Sequence, residues 1–325
     1  MIELSRRDLL RVGAGLAAGA LGSALFGLWR DEAHPTAPVR AESYGHGIEP
    51  PPELGAGALD PSLYPPPPRG GKSPAVLPTE LWVSEQPVKV ARATRFDAWT
   101  FNGAVPGPVL RAREGDELAI RLRNLGTRAH NLHLHGRHDV RQDGWQPVPP
   151  GGEATYRVRA EPFGLHPYHC DASPAAEHLS RGLYGLLIVD PPSPRTRPAA
   201  HEVALVLSGF DLDGDGHNEL YGWNGVAGFF ERYPIKVPVG RLVRVYLLNM
   251  VADDPVASFH LHAETFDVYR SGTRLTPDER TDVVTLAQTE RAIVEFRLPQ
   301  RGRYMFHPHQ RHMAEHGAMG WFAAV

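Results

Sequence analysis

The sequence contains one pattern of residues twice, and this internal repeat limits the possible fold more than any other feature. In the first half, TFNGAVPGPVLRAREGDELAIRLRN precedes HNLHLHG at residues 130–136, and in the second half GWNGVAGFFERYPIKVPVGRLVRVYLLN precedes SFHLHAETF at 258–266. Each half then ends in a histidine-containing segment, YHCD at 168–171 and FHPH at 306–309. A duplicated unit of about 120 residues is the simplest interpretation.

Both halves have the pattern of β-strands joined by short turns. Apolar and polar side chains alternate along segments such as GDELAIRLRN, with glycine, proline or asparagine at their ends, and a period of two is typical of half-buried strands. The 33 glycines and 31 prolines suit a fold of many turns. We therefore predict an all-β protein with two tandem Greek-key β-sandwich domains, residues 79–192 and 193–325, each near the roughly 100-residue size of such a sandwich.

The N-terminal segment has the pattern of an export signal. Paired arginines in SRRDLL are followed by an uncharged apolar run of small residues, which predicts a twin-arginine signal peptide at residues 1–30 and a periplasmic or exported protein. A retained membrane anchor is the alternative, because the apolar run is nearly long enough to span a bilayer. Residues 31–78 contain EPPPELGAGALDPSLYPPPPRGG, and such proline runs predict a linker or a surface arm.

Charge and cysteine content exclude some classes of function. A formal net charge of -3 gives no electrostatic basis for binding nucleic acid or an anionic membrane surface. The single cysteine, Cys170, excludes an internal disulfide. Its thiol is therefore structural, reactive or a metal ligand.

Histidines are spaced as metal ligands in three places. Residues i and i+2 of a strand point to the same face, so an H-x-H pair can present two imidazoles to one ion. The three pairs are His133/His135, His260/His262 and His307/His309. Because the pairs lie at equivalent places in the two halves, we predict that they bind metal.

The lone thiol has two histidine neighbours in the pattern, His130 upstream and His178 downstream. Two imidazoles and one thiolate are the ligands of a type 1, or blue, copper, which usually has a weak axial methionine. Leu183 stands at the expected axial position, and the first domain contains no methionine. Loss of the axial donor predicts a raised reduction potential. The alternative is a buried inert thiol with two structural histidines.

The series FNG…PGP…GD…N…HNLHLHG…YHC…H…GLYG resembles the cupredoxin domains of multicopper oxidases and of their two-domain laccase relatives, from residue 95 to 325. The resemblance implies up to four coppers per chain, with a trinuclear cluster that reduces O2 to water. The implied ligands are His133 and His260 for the type 2 copper, His135, His169, His262, His307 and His309 for the type 3 pair, and His130, Cys170 and His178 for the type 1 copper.

The resemblance also implies a mechanism centred on residues 169–171. Cys170 and His169 would bind different coppers, so electrons would have a short bonded route from the type 1 site to the cluster. Asp171 stands where the family has a second histidine, and it is predicted either to bind a type 3 copper or to leave that copper weakly held. The expected function is a copper-dependent oxidase that passes single electrons from a small reducing substrate or a redox protein to O2.

The second domain lacks a type 1 site of its own, because Pro308 and Ala257 stand at the positions equivalent to the cysteine and the first histidine. This resembles the subclass with blue copper in domain 1 only, whose members are homotrimers with a cluster between domain 1 of one subunit and domain 2 of the next. His312, His316 and Met319 are interpreted as remnants of a lost site, or as outer groups that orient the cluster ligands or tune proton delivery.

Two alternatives to the oxidase stay open. Copper nitrite reductases are similar but carry a carboxylate two residues before the first-domain ligand, where this chain has His133. A non-catalytic electron-transfer cupredoxin would need only the blue site. Oxygen uptake and nitrite turnover separate these classes.

Other polar residues receive weaker predictions. DLDGDGHNE at 211–219 begins like a calcium loop, but Gly222 stands where an EF-hand needs glutamate, so a solvated acidic turn is predicted, with calcium as the alternative. Asp139 or Asp143 is a candidate to relay protons for oxygen reduction. His138 and His166 have no assigned role.

Overall fold

The computed structural model describes residues 48–54, 74–193, 197–254 and 256–325. The predicted signal segment and most of the predicted arm therefore lie outside the described residues. Within the described ranges, no helix has both the length and the apolar character needed to cross a membrane.

The first half of the chain folds into a sandwich of two four-stranded sheets. Its strands are β1 Val76–Ala91, β2 Thr94–Phe101, β3 Leu110–Arg113, β4 Glu117–Asn124, β5 His133–Leu134, β6 Glu153–Arg159, β7 Gly164–His169 and β8 Tyr184–Asp190. One sheet has the order β2-β1-β4-β6 and the other β3-β8-β7-β5. Strand β1 begins three residues before the predicted start of the domain at residue 79.

The second half forms a larger sandwich. Its strands are β9 His201–Phe210, β10 Leu220–Trp223, β11 Ile235–Val237, β12 Leu242–Asn249, β13 Val256–Leu261, β14 Phe266–Arg270, β15 Glu279–Thr281, β16 Val283–Ala287, β17 Arg291–Arg297, β18 Gly302–His307 and β19 Gly320–Ala324. The sheets have the orders β10-β9-β12-β17-β14-β15 and β11-β19-β18-β13-β16. The predicted all-β fold of two sandwiches is confirmed.

Helical structure in the described residues is confined to short pieces between strands. The helices are α1 Ala175–Ser180, α2 Phe229–Arg232 and α3 Arg311–Met313, with a 3-10 turn at Val140–Gln142 and a π-helical turn at Ala314–Ala318. Helix α1 matters most for function, because it carries His178.

The internal repeat of the sequence is also a repeat of structure. Strand β1 pairs in parallel with β4, and β9 pairs in parallel with β12 in the same way. The two Asn-Gly turns match as well, because Asn102 and Asn224 both adopt left-handed backbone, with φ of 56° and 55°. Asparagine tolerates this conformation better than most residues, which explains why the two turns share their sequence.

The two sandwiches share a hydrophobic core. Residues contributed by both include Val90, Phe96, Leu165, Leu186, Val206, Phe210, Tyr246 and Ile293, all buried in one cluster. Polar contacts reinforce the junction, since Arg111 of β3 donates to both carboxylate oxygens of Asp190 and to Glu202 of β9. Removing one carboxylate partner of such a buried, doubly paired arginine lowers the free energy of unfolding by about 3–5 kcal/mol.

Gly225 marks a close approach of the two sandwiches. It has a φ of +88°, and a Cβ atom there would lie 1.8 Å from the carbonyl oxygen of Val105. We expect Gly225→Ala to lower the free energy of unfolding by about 3 kcal/mol, measured by denaturant titration. Gly240→Ala is the matched control, because Gly240 also has a positive φ but open space around it and should cost only about 1 kcal/mol. Equal losses in the two variants would contradict this account.

Candidate metal centres

The thiol of Cys170 and the rings of His130 and His178 come together inside the first sandwich. Cys170 directly follows β7, His178 lies on α1, and His130 forms an isolated bridge with Val148. The two Nδ1 atoms of the histidines are 3.2 Å apart, and Sγ of Cys170 lies 3.1 Å from His178 Nδ1 and 3.8 Å from His130 Nδ1. All three side chains are buried, so the predicted type 1 ligands form one compact set.

This set fits a copper ion by its chemistry. Two imidazole nitrogens and one sulfur converge, as blue copper requires. Burial, together with the neighbouring His178, lowers the pKa of His130 to about 4, so the ring is neutral and able to bind metal. Burial raises the pKa of the Cys170 thiol to about 11, so without a cation the sulfur holds its proton. Metal binding would displace that proton.

Leu183 belongs to the hydrophobic cluster that surrounds the thiol. It is fully buried together with Cys170, and its backbone oxygen accepts a hydrogen bond from the Cys170 N–H at 3.0 Å. All described methionines lie in the second half of the chain, at positions 250, 305, 313 and 319. The first sandwich therefore offers hydrocarbon, and no thioether, beside the sulfur.

Asn131 is a site residue that the sequence reasoning missed. Its backbone N–H points at the Cys170 sulfur at 3.4 Å, and its side-chain oxygen accepts the Asp171 N–H at 2.7 Å. Its side-chain amide in turn donates to the Gly144 carbonyl at 2.8 Å. Asn131 therefore ties the segment after β7 to the loop before β6. The only sequence signal was its place directly after His130.

A first group of imidazoles lies at the edge of β5 and β7. His133 faces His169 across the antiparallel pair, and Nε2 of His135 lies 3.1 Å from Nε2 of His169. Nδ1 of His169 lies 3.1 Å from the Cys170 carbonyl and must donate to it, so Nε2 keeps its lone pair for a metal. Nδ1 of His133 donates to Asp143 Oδ1 at 2.9 Å, so Nε2 of His133 also keeps its lone pair for a metal.

A second group repeats this arrangement in the second sandwich. His260 of β13 faces His307 of β18, and Nε2 of His262 lies 3.0 Å from Nε2 of His307. Nδ1 of His307 donates to the Pro308 carbonyl at 2.7 Å, and Nδ1 of His260 to the Asp282 carbonyl at 2.7 Å. Backbone acceptors thus select the tautomer with Nε2 unprotonated, as in metal-binding histidines. Both groups fit a metal.

Burial favours the neutral form of His135 and His307 in the two groups. Burial, together with the neighbouring His169 and His133, lowers the pKa of His135 to about 3. Burial is also the largest cause of the lowered pKa of His307. Neutral imidazole is the form that binds a cation.

The expected geometry of the H-x-H pairs needs a correction. We predicted both members of a pair on one face of a strand, but β5 ends at Leu134, β13 at Leu261 and β18 at His307. The second histidine of each pair therefore lies just beyond its strand. The rings still meet, with centroids 5.2, 4.8 and 5.8 Å apart in the three pairs.

His309 and Asp171 stand apart from the compact groups. His309 is exposed, with its ring centroid 5.2 Å from that of His260, yet it is outside the set of three. Asp171 is exposed, and among the described residues its carboxylate joins no ligand group. The structure of the single chain therefore does not bring Asp171 into the predicted cluster.

The two proton-relay candidates differ in their surroundings. Asp143 Oδ1 lies 2.9 Å from Nδ1 of His133 and 2.8 Å from Nε2 of His138. Asp139 instead starts the 3-10 turn, is exposed, and pairs with Arg141. Of the two aspartates, only Asp143 contacts a predicted ligand, and His138 contacts the same carboxylate oxygen.

His166 is buried close to the first group. Its Nε2 donates to the Pro162 carbonyl at 2.7 Å, and burial lowers its pKa to about 4. It lines a small cavity together with His135 and His138.

No type 1 set exists in the described part of the second sandwich. Ala257 and Met313 are buried in its hydrophobic core. His312 is exposed and contacts the Tyr221 ring and Asp254, and His316 is exposed as well. Pro308, at the position equivalent to the thiol, is buried and offers no ligand atom in its side chain.

The acidic segment forms a tight turn. Oxygens of Asp211, Asp213, Asp215 and Glu219 lie within 4.8 Å of one another. These oxygens accept hydrogen bonds from backbone N–H groups of their own loop. The Asp211 carboxylate, for example, accepts from the N–H groups of Gly214 and Gly216. The arrangement suits either a solvated acidic turn or a cation site, so the assignment of this segment stays a prediction.

Two tandem sandwiches, one with a buried thiol and histidine set, define a cupredoxin-like protein. Both halves match the multicopper oxidase family, over residues 83–194 and 199–325. The chain belongs to this family of copper-containing oxidoreductases, with two domains.

Solved structures and curated relatives agree with this assignment. A crystal structure of a multicopper oxidase shares 40% identity with a TM-score of 0.75, covering 77% of this chain and 89% of that one. A copper nitrite reductase from Nitrosomonas europaea shares 26% identity with a TM-score of 0.69, covering 77% and 94%. The copper-containing nitrite reductase of Neisseria meningitidis serogroup A is 30% identical over 270 residues, 76% of this chain and 69% of that protein.

Proposed function

We propose that this protein is a copper-dependent oxidase that takes single electrons from a reducing substrate and reduces O2 to water. The observation that carries the proposal is that each sandwich holds three imidazoles, with Nε2 atoms converging at 3.1 Å in one and 3.0 Å in the other. A mononuclear site would not need two such groups. When bound, the coppers would supply one-electron redox chemistry and the site of oxygen reduction.

The chain itself would connect the two kinds of centre. Cys170 contributes sulfur to the type 1 set, and its neighbour His169 contributes Nε2 to the first imidazole group. The Nδ1 of His169 also donates to the carbonyl of Cys170. A covalent route and a hydrogen-bonded route therefore link the thiol to the imidazole group.

We propose that the functional protein is a homotrimer in which the first group of one subunit meets the second group of the next. Among the described residues the two groups form separate sets of three. The second group borders an open surface cavity of about 440 Å³, lined by His260, His262 and Asp282. Exposed His309 and Asp171 would complete the ligands across that boundary, Asp171 as a carboxylate in place of a histidine.

Asp143 would orient the His133 ring and relay protons toward the imidazole group. The same carboxylate oxygen contacts both His133 and His138. We expect Asp143→Asn to lower the O2 reduction rate roughly 10–100-fold, as loss of an outer partner of a metal ligand does. The visible absorption of the type 1 site should not change. Steady-state oxygen uptake and an absorption spectrum measure the two effects.

The matched control is Asp139→Asn, because Asp139 is exposed and pairs with Arg141. Its oxygen uptake should equal that of the wild type. A comparable loss in both variants would refute the special role of Asp143.

Nitrite reduction is the second candidate function. It is favoured by the 30% identity to a copper-containing nitrite reductase. It is also favoured by Asp171, which stands where the oxidase family has a histidine two residues after the position of His169. His133 disfavours it, because the nitrite reductases have a carboxylate at that position. A simple electron carrier is less favoured, because it would need no imidazole groups.

The decisive experiment compares oxygen uptake with nitrite turnover on the copper-loaded protein. Copper content with electron paramagnetic resonance adds a second readout, since about four, two or one coppers per chain correspond to oxidase, nitrite reductase and carrier. Nitrite turnover without oxygen uptake would reject the oxidase.

We propose further that the protein is exported by the twin-arginine route and acts in the periplasm or outside the cell. The support is the SRRDLL segment followed by an apolar run. A fusion of residues 1–30 to a reporter, compared with an Arg6→Lys/Arg7→Lys version, tests this directly.

A further inference from the structure

One ring nitrogen of His130, Nε2, has no part in the predicted set of copper ligands. Its Nδ1 faces Cys170 and His178, whereas its Nε2 is buried and makes no hydrogen bond within the described residues. A neutral imidazole that binds through Nδ1 carries its proton on Nε2. This N–H is therefore directed at the groups behind the ring.

The carboxylate of Glu85 lies behind that ring. Its Oε1 is 3.9 Å from Nε2 of His130. The carboxylate is held by three hydrogen bonds, from the Thr127 N–H at 2.8 Å, the Thr127 hydroxyl at 2.7 Å and the Arg128 N–H at 3.3 Å. Three donors directed at one carboxylate stabilise its ionised form and fix its position behind the ring.

The backbone at Gly126 and the ring of Trp99 pack close to this contact. A Cβ atom at Gly126 would lie 2.9 Å from Oε1 of Glu85 and 3.4 Å from Nε2 of His130, so the backbone passes directly over the pair. Trp99, 8% exposed, packs edge-on against His130, and the guanidinium of Arg128 lies 5.1 Å from its ring. The His130 side chain is fully buried and the Glu85 side chain is 23% exposed, so water screens the carboxylate from the buried ring only in part.

We infer that Glu85 sets the reduction potential of the type 1 site, an inference that rests on the proposed copper ligands. A negative charge behind His130 favours the oxidised ion, which carries one more positive charge than the reduced ion. Glu85 therefore lowers the potential, and it opposes the rise that follows from Leu183 in place of an axial methionine. The balance between these two residues determines which donors the protein can oxidise.

The test is a spectroelectrochemical titration of the copper-loaded full chain, followed by its visible absorption. We expect Glu85→Gln to increase the ratio of reduced to oxidised type 1 copper at a fixed potential about tenfold, which is about 59 mV for one electron. Glu85→Asp keeps the charge and should stay near the wild-type value. Glu80→Gln is the matched control, because Glu80 lies on the same strand, is exposed, and pairs with Arg121.

A midpoint for Glu85→Gln that equals that of Glu80→Gln, or falls below the wild type, overturns the inference. If Glu85→Gln folds poorly, Thr127→Val removes one of the three hydrogen bonds that hold the carboxylate, the one from the hydroxyl, and an unchanged midpoint in that variant counts against the inference in the same way. Failure of the proposed function is distinguishable: a wild type without oxygen uptake but with the Glu85→Gln shift still supports the role of Glu85. A wild type that forms no blue copper overturns both.

Discussion

Replacing Cys170 with serine is expected to abolish the intense visible absorption and the oxidase activity together. The sulfur lies 3.1 and 3.8 Å from the two Nδ1 atoms of its histidine neighbours, and a hydroxyl cannot replace a thiolate as a soft donor to copper. The loss of activity should exceed the roughly 10–100-fold cost of removing an outer partner. Absorption, copper content and oxygen uptake measure the result, with about one copper lost per chain.

The matched control for this substitution is Leu183→Met. It exchanges hydrophobic side chains of similar volume and should cost less than about 1.5 kcal/mol. It should keep the visible absorption and, if the new thioether reaches the ion, lower the potential. Retained blue colour in Cys170→Ser would overturn the assignment of the thiol as a copper ligand.

The second large effect is expected from mixing two inactive variants. His135→Ala/His169→Ala removes two imidazoles from the first group, and His262→Ala/His307→Ala removes two from the second. Either variant alone should lose oxygen reduction. In a head-to-tail ring, co-expression at equal amounts would restore about one quarter of the interfaces to a complete set of ligands. Oxygen uptake of the co-purified protein should therefore recover to about a quarter of the wild-type rate.

The control for this experiment is to mix the separately purified variants without subunit exchange, which should restore nothing. A single-chain cluster predicts no recovery under either condition. Absence of recovery in co-expressed, mixed oligomers would therefore reject the shared cluster while leaving the type 1 site unaffected, and the blue absorption of both variants reports that site independently.

Most of the fold could be predicted from sequence, because its signals are local. Alternation in segments such as GDELAIRLRN predicts a strand, and β4 is found at Glu117–Asn124. The short helices were not predicted. Helix α1 has only six residues, too few for an apolar period to emerge. Its buried residue is His178, which lies 3.1 Å from the Cys170 sulfur.

The candidate site was predictable where ligands are neighbours in sequence. The adjacency of His169 and Cys170 and the H-x-H spacing are visible without a structure. Asn131 and Glu85 were not predictable as site residues, because each reaches its partner across about forty positions. Asp143 was one of two candidates, and only the folded loop shows which of them meets His133.

The sequence by itself determined the repeat, the alternating strands and the types of ligand, because these follow from side-chain chemistry and from spacing along a few residues. The tertiary structure decided which nitrogen each histidine presents and which carboxylate lies behind a ligand. Those properties depend on backbone carbonyls and side chains of strands far apart in the chain. Packing of the sheets brings them within hydrogen-bond distance, and no local pattern records it.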